Sequence, residues 1–135
     1  MIKVTKDHFS MLINGEKMTT EKQLQVINPA TEEVIATVPV ATKEHLNMAV
    51  DAARNALPSW SAKSLEERSK LISNFAEKIL ENKEELAKLL TMEQGKPLNF
   101  ARMELDLAIH WCRETAKYNL ESEVIEETIK NNIKR

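Results

Sequence analysis

Apolar and polar positions change rhythm once along this chain. Before Thr42 the apolar residues come in short runs broken by turn residues, and after it they recur every three or four positions. The first rhythm is that of short strands and the second that of amphipathic helices. Phe9 to Ile13 is an apolar run followed by Asn14-Gly15, the two-residue signal of a tight hairpin whose central positions need positive φ. Leu24 to Ile27 reads as a strand, and Asn28-Pro29-Ala30-Thr31 as a turn in which Asn caps its own backbone and Pro presets φ. From Glu33 the run EVIATVPV reads as a returning strand, which Pro39 limits to an edge or a terminus. The opening is therefore expected to be a small antiparallel β meander.

Thr42 is placed to cap a first helix, with Leu46, Ala49, Val50, Ala53 and Leu57 on one stripe and Pro58 expected to end it. Ser64-Leu-Glu-Glu67 is a capping box ahead of Leu71, Phe75 and Ile79, so a second helix is expected from Ser64. Asn82, with Glu85 three residues on, reads as a fresh cap before Leu86, Leu89 and Leu90, and Gly95 as the stop. Lys96-Pro97 predicts a corner, with Pro97 in the first turn of a further helix. From Leu98 the positions Ala101, Leu105, Ala108, Ile109, Cys112 and Ala116 form one stripe, while Phe100, Leu107 and Trp111 lie on a second flank. A helix apolar on two sides expects neighbours on both. The tail is ambiguous: Leu120, Val124, Ile125, Ile129 and Ile133 suit a helical stripe, but their β-branched content suits a strand. Its acidic half, Glu121 to Glu127, and basic half, Lys130 to Arg135, read most simply as a solvated face. The chain alone is thus expected to be mostly α, with a β opening.

Composition narrows what such a chain can do. At 135 residues it is at most one domain, and its core must come from aliphatic residues because it has only two Trp, one Tyr and three Phe. A net charge of -2 and a pI near 6.0 give no electrostatic reason to expect nucleic acid or an anionic membrane as partner. No apolar run has the length of a signal peptide or a membrane span. Cys112 is the only cysteine, which excludes an internal disulfide and fits a reducing, cytoplasmic setting. Gly15 and Gly95 are the only glycines, so no phosphate-cradling GxGxxG or GxxxxGK loop exists.

The remaining candidate chemistry is sparse. Cys112 and His110 are two residues apart, which on a helix points them to different faces, unfit for a nucleophile and its base. A buried core thiol is the expectation for Cys112. His8, His45 and His110 have no metal-ligand spacing. Lys96 at the EQGKP corner is read as a solvated turn residue. Glu104 and Asp106, again two apart, cannot act as an acid/base couple on one substrate.

Taken together, NPATEEVIATVPVAT, the helix closing on Ala56-Leu-Pro-Ser-Trp60, the segment EERSKLI, the corner Glu93-Gln-Gly-Lys-Pro97 and the helix ARMELDLAIHWCRETAKY resemble the N-terminal part of the NAD(P)-dependent aldehyde dehydrogenase superfamily. The likeness runs from about Leu12 to Tyr118. One departure is Glu32, where the family's turn usually has Gly. The resemblance implies an α/β fold in which 1-120 form the N-terminal part of a cofactor-binding domain and 121-135 begin an oligomerisation segment, extended rather than helical. It implies a parent enzyme that oxidises an aldehyde to a carboxylate with NAD or NADP. The family's catalytic Cys, general-base Glu, oxyanion-stabilising Asn and dinucleotide site lie beyond the matched stretch, so no catalytic or cofactor-binding residue is expected here and the chain alone is expected to be inactive. It also implies a monovalent cation, potassium or sodium, held by Glu104 and a main-chain carbonyl of Val26 or Ile27, against a solvated or Arg102-paired Glu104. The expected partners are the remainder of an aldehyde dehydrogenase chain or a second copy meeting the exposed apolar helix faces. A short non-catalytic module that binds a full-length aldehyde dehydrogenase subunit is the alternative, and an unrelated helical domain a weaker third.

Overall fold

The computed structural model describes residues 9–118, with backbone only at two further short strands. β1 (Met11–Ile13) and β2 (Glu16–Met18) form a hairpin closed by Asn14 and Gly15 at φ 53° and 79°, the positive values the turn requires. β3 (Gln23–Ile27) and β4 (Val34–Pro39) form a second antiparallel pair, with Pro39 as its last residue. The small antiparallel β opening is thus present as expected, split into two two-stranded sheets. Side-chain bonds in the connection explain the break. Thr20 Oγ1 donates to the carbonyls of Lys22 (2.8 Å) and Val40 (3.2 Å), and Gln23 Nε2 donates to the Thr20 carbonyl at 2.6 Å. These bonds turn the chain between β2 and β3 and tie it to the end of β4.

Within the second pair Val26 faces Ala36 while Ile27 faces Val34, so Ile35 is an extra residue, a bulge. Strict alternation would send Ile35 and Ala36 to opposite faces, yet both are buried. The bulge gives the small sheet two consecutive core residues.

Four helices follow: α1 (Lys43–Ser61), α2 (Leu65–Glu81), α3 (Lys83–Gln94) and α4 (Leu98–Ala116). Thr42 caps α1 as expected, with His45 as its reciprocal partner. Pro58 does not end α1 but lies inside its last turn, where a missing N–H costs a single bond to the Arg54 carbonyl. The turn is closed after it by the Ala62 N–H on the Pro58 carbonyl at 3.1 Å, and Ser61 Oγ donates to that carbonyl too. At the start of α2, Ser64 Oγ accepts from the Glu67 N–H at 3.1 Å and Glu67 Oε2 accepts from the Ser64 N–H at 2.8 Å, which is the capping box read in the sequence. Asn82 makes no such cap for α3. Its Nδ2 donates back to the Lys78 carbonyl at 2.9 Å, so its side chain closes α2, while its carbonyl opens α3 by accepting from the Leu86 N–H at 3.0 Å. Gly95, left-handed at φ 73°, stops α3, and Pro97 stands one position ahead of α4 rather than in its first turn.

α4 packs against α2 and α3, while α1 touches the β1–β2 hairpin. Ala76, Ala87 and Ala101 are wholly buried where the three helices meet, and their small size lets the backbones approach. Ile109, Ile13, Ile35 and Ala36 complete the buried set among the described residues. α1 buries no residue. In the tail, β5 (Glu127–Thr128) and β6 (Ile133–Lys134) pair antiparallel. Among the described residues no helix is long and apolar enough to cross a membrane.

Candidate functional site

The two most distinctive sequence motifs meet in space. A Cβ placed on Gly95, in the EQGKP corner, would lie 2.8 Å from Cγ of Pro29, in the Asn-Pro turn. Gly95 is therefore fixed twice, by its left-handed backbone and by the proline ring against it. The turn is held by Asn28: its Oδ1 accepts from the Ala30 N–H (2.9 Å), its carbonyl from the Glu32 N–H (2.8 Å), and its N–H donates to the Glu33 carbonyl (2.9 Å). Glu32 sits at φ 59°, so the turn keeps the conformation that suits glycine with a side chain in place.

Lys96 leaves this corner to pair with Glu104 of α4, and its side chain is only 25% exposed. It is an ion-pair partner rather than a solvated turn residue, because the corner aims it along α4. Arg102, in turn, grips Glu84 of α3 through two nitrogens at 2.8 to 3.1 Å. Lys83–Asp106 (2.6 Å) and Arg113–Glu77 (2.7 Å) continue the series, so α4 is tied by charge to α2, α3 and the corner. Glu104 and Asp106 have different partners, as their spacing required. The Arg102 guanidinium holds the Glu84 carboxyl below its ordinary value, and Glu84 raises Arg102. Glu67 is lowered by the Ser64 N–H it accepts from. Such pairs on a surface are worth little singly, and their role is to fix helix register.

Of the expected cation ligands, Glu104 carries the Lys96 ammonium, which a bound cation must displace. Val26 and Ile27 lie in β3 opposite Ala36 and Val34. A carboxylate not singled out in the sequence, Glu93 in the last turn of α3, lines an apolar cavity of about 170 Å³ together with Val26, Phe9, Val38 and Leu89. No signal in the sequence places it there, since only the packing of Gly95 on Pro29 brings the last turn of α3 to β3. Among the described residues no three His, Cys, Asp or Glu side chains gather as a metal site. Cys112 is half-buried rather than fully buried, since α4 is covered on one side only. His110 meets the edge of the Trp111 ring at 6.2 Å, and His45 belongs to the α1 cap. His8 lies outside the described residues. A dinucleotide does not fit the glycines present: Gly15 is spent in a hairpin turn, and the space at Gly95 is filled by Pro29.

These elements define an α-helical bundle with two β hairpins, in which the Asn-Pro turn and the EQGKP corner meet at Pro29 and Gly95. A family model, that of the aldehyde dehydrogenase family, matches residues 16–134, and the chain belongs to that family. It is 43% identical over 110 residues to glutarate-semialdehyde dehydrogenase of Pseudomonas putida, covering 78% of this chain and 23% of the relative. It is 37% identical over 111 residues to the NADP-linked succinate-semialdehyde dehydrogenase GabD of Escherichia coli, covering 78% and 23%. Among solved structures, lactaldehyde dehydrogenase of Escherichia coli superposes with a TM-score of 0.84 at 30% identity, covering 89% of this chain and 26% of that one. The NAD+ complex of a Bacillus cereus aldehyde dehydrogenase does so with a TM-score of 0.79 at 36% identity, covering 84% and 24%. The chain spans about a quarter of the length of these relatives.

Proposed function

We propose that this chain is the N-terminal portion of an NAD(P)-dependent enzyme that oxidises an aldehyde to a carboxylate, and that by itself it binds no dinucleotide and turns nothing over. The observation that carries the reading is the position of its one thiol. Aldehyde oxidation through a thiolate needs a nucleophile with a base in reach, and Cys112 sits half-buried on α4, two residues from a His110 that faces Trp111. The relatives' names fit small semialdehyde substrates, which extends the same reading to the parent enzyme. A cytoplasmic setting, in which Cys112 stays reduced, belongs with it, as does the use of 121-135 as the start of an oligomerisation segment. The test is incubation of the purified chain with NAD or NADP and a panel of semialdehydes, alongside Cys112→Ser. No NAD(P)H is expected from either protein. Turnover that disappears in Cys112→Ser would overturn the reading.

A cation is a subsidiary part of it, with Glu104 and the Val26 or Ile27 carbonyl as ligands. The cavity shared by Glu93 and Val26 favours a second assignment, Glu93 in place of Glu104. In a full-length parent enzyme carrying this segment, Glu104→Gln and Glu93→Gln are compared by melting across a potassium titration. The variant whose melting ceases to respond to potassium marks the ligand, and unchanged responses in both end the cation reading.

A further inference from the structure

The chain has two glycines, and each follows a carboxamide side chain: Gly15 follows Asn14, and Gly95 follows Gln94. A glycine nitrogen is unhindered, having no Cβ beside it. It is the atom that can attack the preceding carboxamide and close a cyclic imide. At Gly95 the N–H is spent on the Thr91 carbonyl at 2.8 Å, and Pro29 packs against the residue. Gln94 would also have to close the larger glutarimide ring, which forms more slowly than the succinimide open to Asn14. At Gly15 nothing lies within 4 Å of a Cβ built there. Among the described residues neither the Gly15 N–H nor the Asn14 carboxamide is held by a hydrogen bond, and Asn14 is exposed.

Little holds this turn shut. β1 and β2 are three residues each and join no other sheet, and Ile13 is the one buried residue in them. The helix they touch, α1, buries none. A two-stranded ribbon of this length opens readily, and the opened turn frees the carboxamide to reach the Gly15 nitrogen.

We propose that Asn14 is a deamidation site, where the Gly15 nitrogen closes on the Asn14 side chain and the amide becomes a carboxylate that loosens the hairpin from α1. The Gly15 nitrogen bonds to Asn14 Cγ, the Cγ–Nδ2 bond breaks, and Nδ2 leaves as ammonia with the proton that Gly15 gives up. Water then opens the succinimide at either carbonyl, giving aspartate or, with the main chain rerouted through the side chain, isoaspartate. Asn14 lines a cleft of about 290 Å³ between the hairpin and α1, whose only charged residues are Glu16 and Asp51. Neither carboxylate has an ion-pair partner among the described residues. A third carboxylate therefore meets only like charge, which pushes the hairpin from α1. Isoaspartate acts further, because its extra main-chain atom spoils the two-residue turn that pairs Ile13 with Glu16.

The test stores the purified full chain at mildly alkaline pH beside Asn14→Gly, which keeps a hairpin turn but has no side chain to cyclise. Peptide mass mapping is expected to find amide converted to acid at Asn14 ahead of every other Asn and Gln. Isoelectric focusing is expected to show an acidic species that Asn14→Gly does not form. An Asn14 that remains an amide, or converts no faster than the chain's other Asn residues, overturns the proposal. Freshly made Asn14→Asp carries the charge without storage, on a side chain that tolerates left-handed backbone. Its β1–β2 amides are expected to exchange hydrogen roughly two- to fivefold faster than those of the unaltered chain at low salt, a difference that high salt removes. Equal exchange at low salt overturns the loosening.

Discussion

Glu32 and Gly95 occupy left-handed backbone at two contacting turns, one with a side chain and one without. At φ 59° the Cβ of Glu32 crowds its own backbone, which glycine does not. Glu32→Gly is expected to raise stability by about 0.5 kcal/mol, the strain relieved being partly offset by the freer unfolded chain of glycine. A rise in the urea midpoint with an unchanged slope checks it. Gly95→Ala is expected to act the other way, costing about 2 kcal/mol or more, because alanine is strained at φ 73° and its Cβ would also meet Pro29 Cγ at 2.8 Å. Pro29→Ala relieves the clash alone, so in that background the cost of Gly95→Ala should shrink toward the backbone part. An equal cost in both backgrounds argues that the two turns do not touch in solution.

Helix termini carry most of the local specification. Ser64→Ala removes the acceptor of the Glu67 N–H and is expected to cost about 1 kcal/mol. Thr42→Ala should cost less, since the corresponding bond from the His45 N–H is long at 3.5 Å. Thermal melts of the two variants should rank in that order. Acid sensitivity belongs to the same elements. Glu44, Glu67, Glu84 and Glu114 all have carboxyls lowered from 4.5, through bonds with Thr42, Ser64, Arg102 and Lys117 respectively. A lowered carboxyl stabilises the fold while it is ionised. Its contribution is present above pH 4.5 and is lost as pH falls through the lowered value. Glu44, Glu67 and Glu84 are exposed and Glu114 is partly so, and each effect is therefore small and screened by salt. Replacing Glu84 by Gln should flatten the acid limb of the stability profile slightly, and more at low salt than at high. A limb that steepens instead contradicts the Arg102–Glu84 pairing.

For the molecule as a whole, apolar surface outweighs core. Leu46, Leu57 and Trp60 of α1, Phe75 of α2 and Phe100, Leu107 and Trp111 of α4 are all exposed. Isolated chain is expected to bind an apolar dye and to self-associate as concentration rises. A compact, cooperative monomer that leaves the dye dark in sedimentation and melting experiments contradicts this.

The sequence by itself determined the local structure, because turns and caps depend on residues a few positions apart. Asn14-Gly15 and Ser64 to Glu67 formed as their own chemistry dictates, and Gly95 stopped its helix. Where a local signal allowed two uses, the fold chose between them. Pro58 stayed inside α1 because a single missing bond in a last turn is tolerable, and the Asn82 side chain closed α2 while only its carbonyl opened α3. Only the tertiary structure decided which distant residues share a place: Pro29 with Gly95, Val26 with Glu93, Lys96 with Glu104, Arg102 with Glu84. Those pairings depend on how far each helix runs and how closely Ala76, Ala87 and Ala101 let the helices approach. Hydrophobic periodicity marks both stripes of α4 as apolar, but it carries no partner's name, and packing alone separated the covered stripe from the bare one.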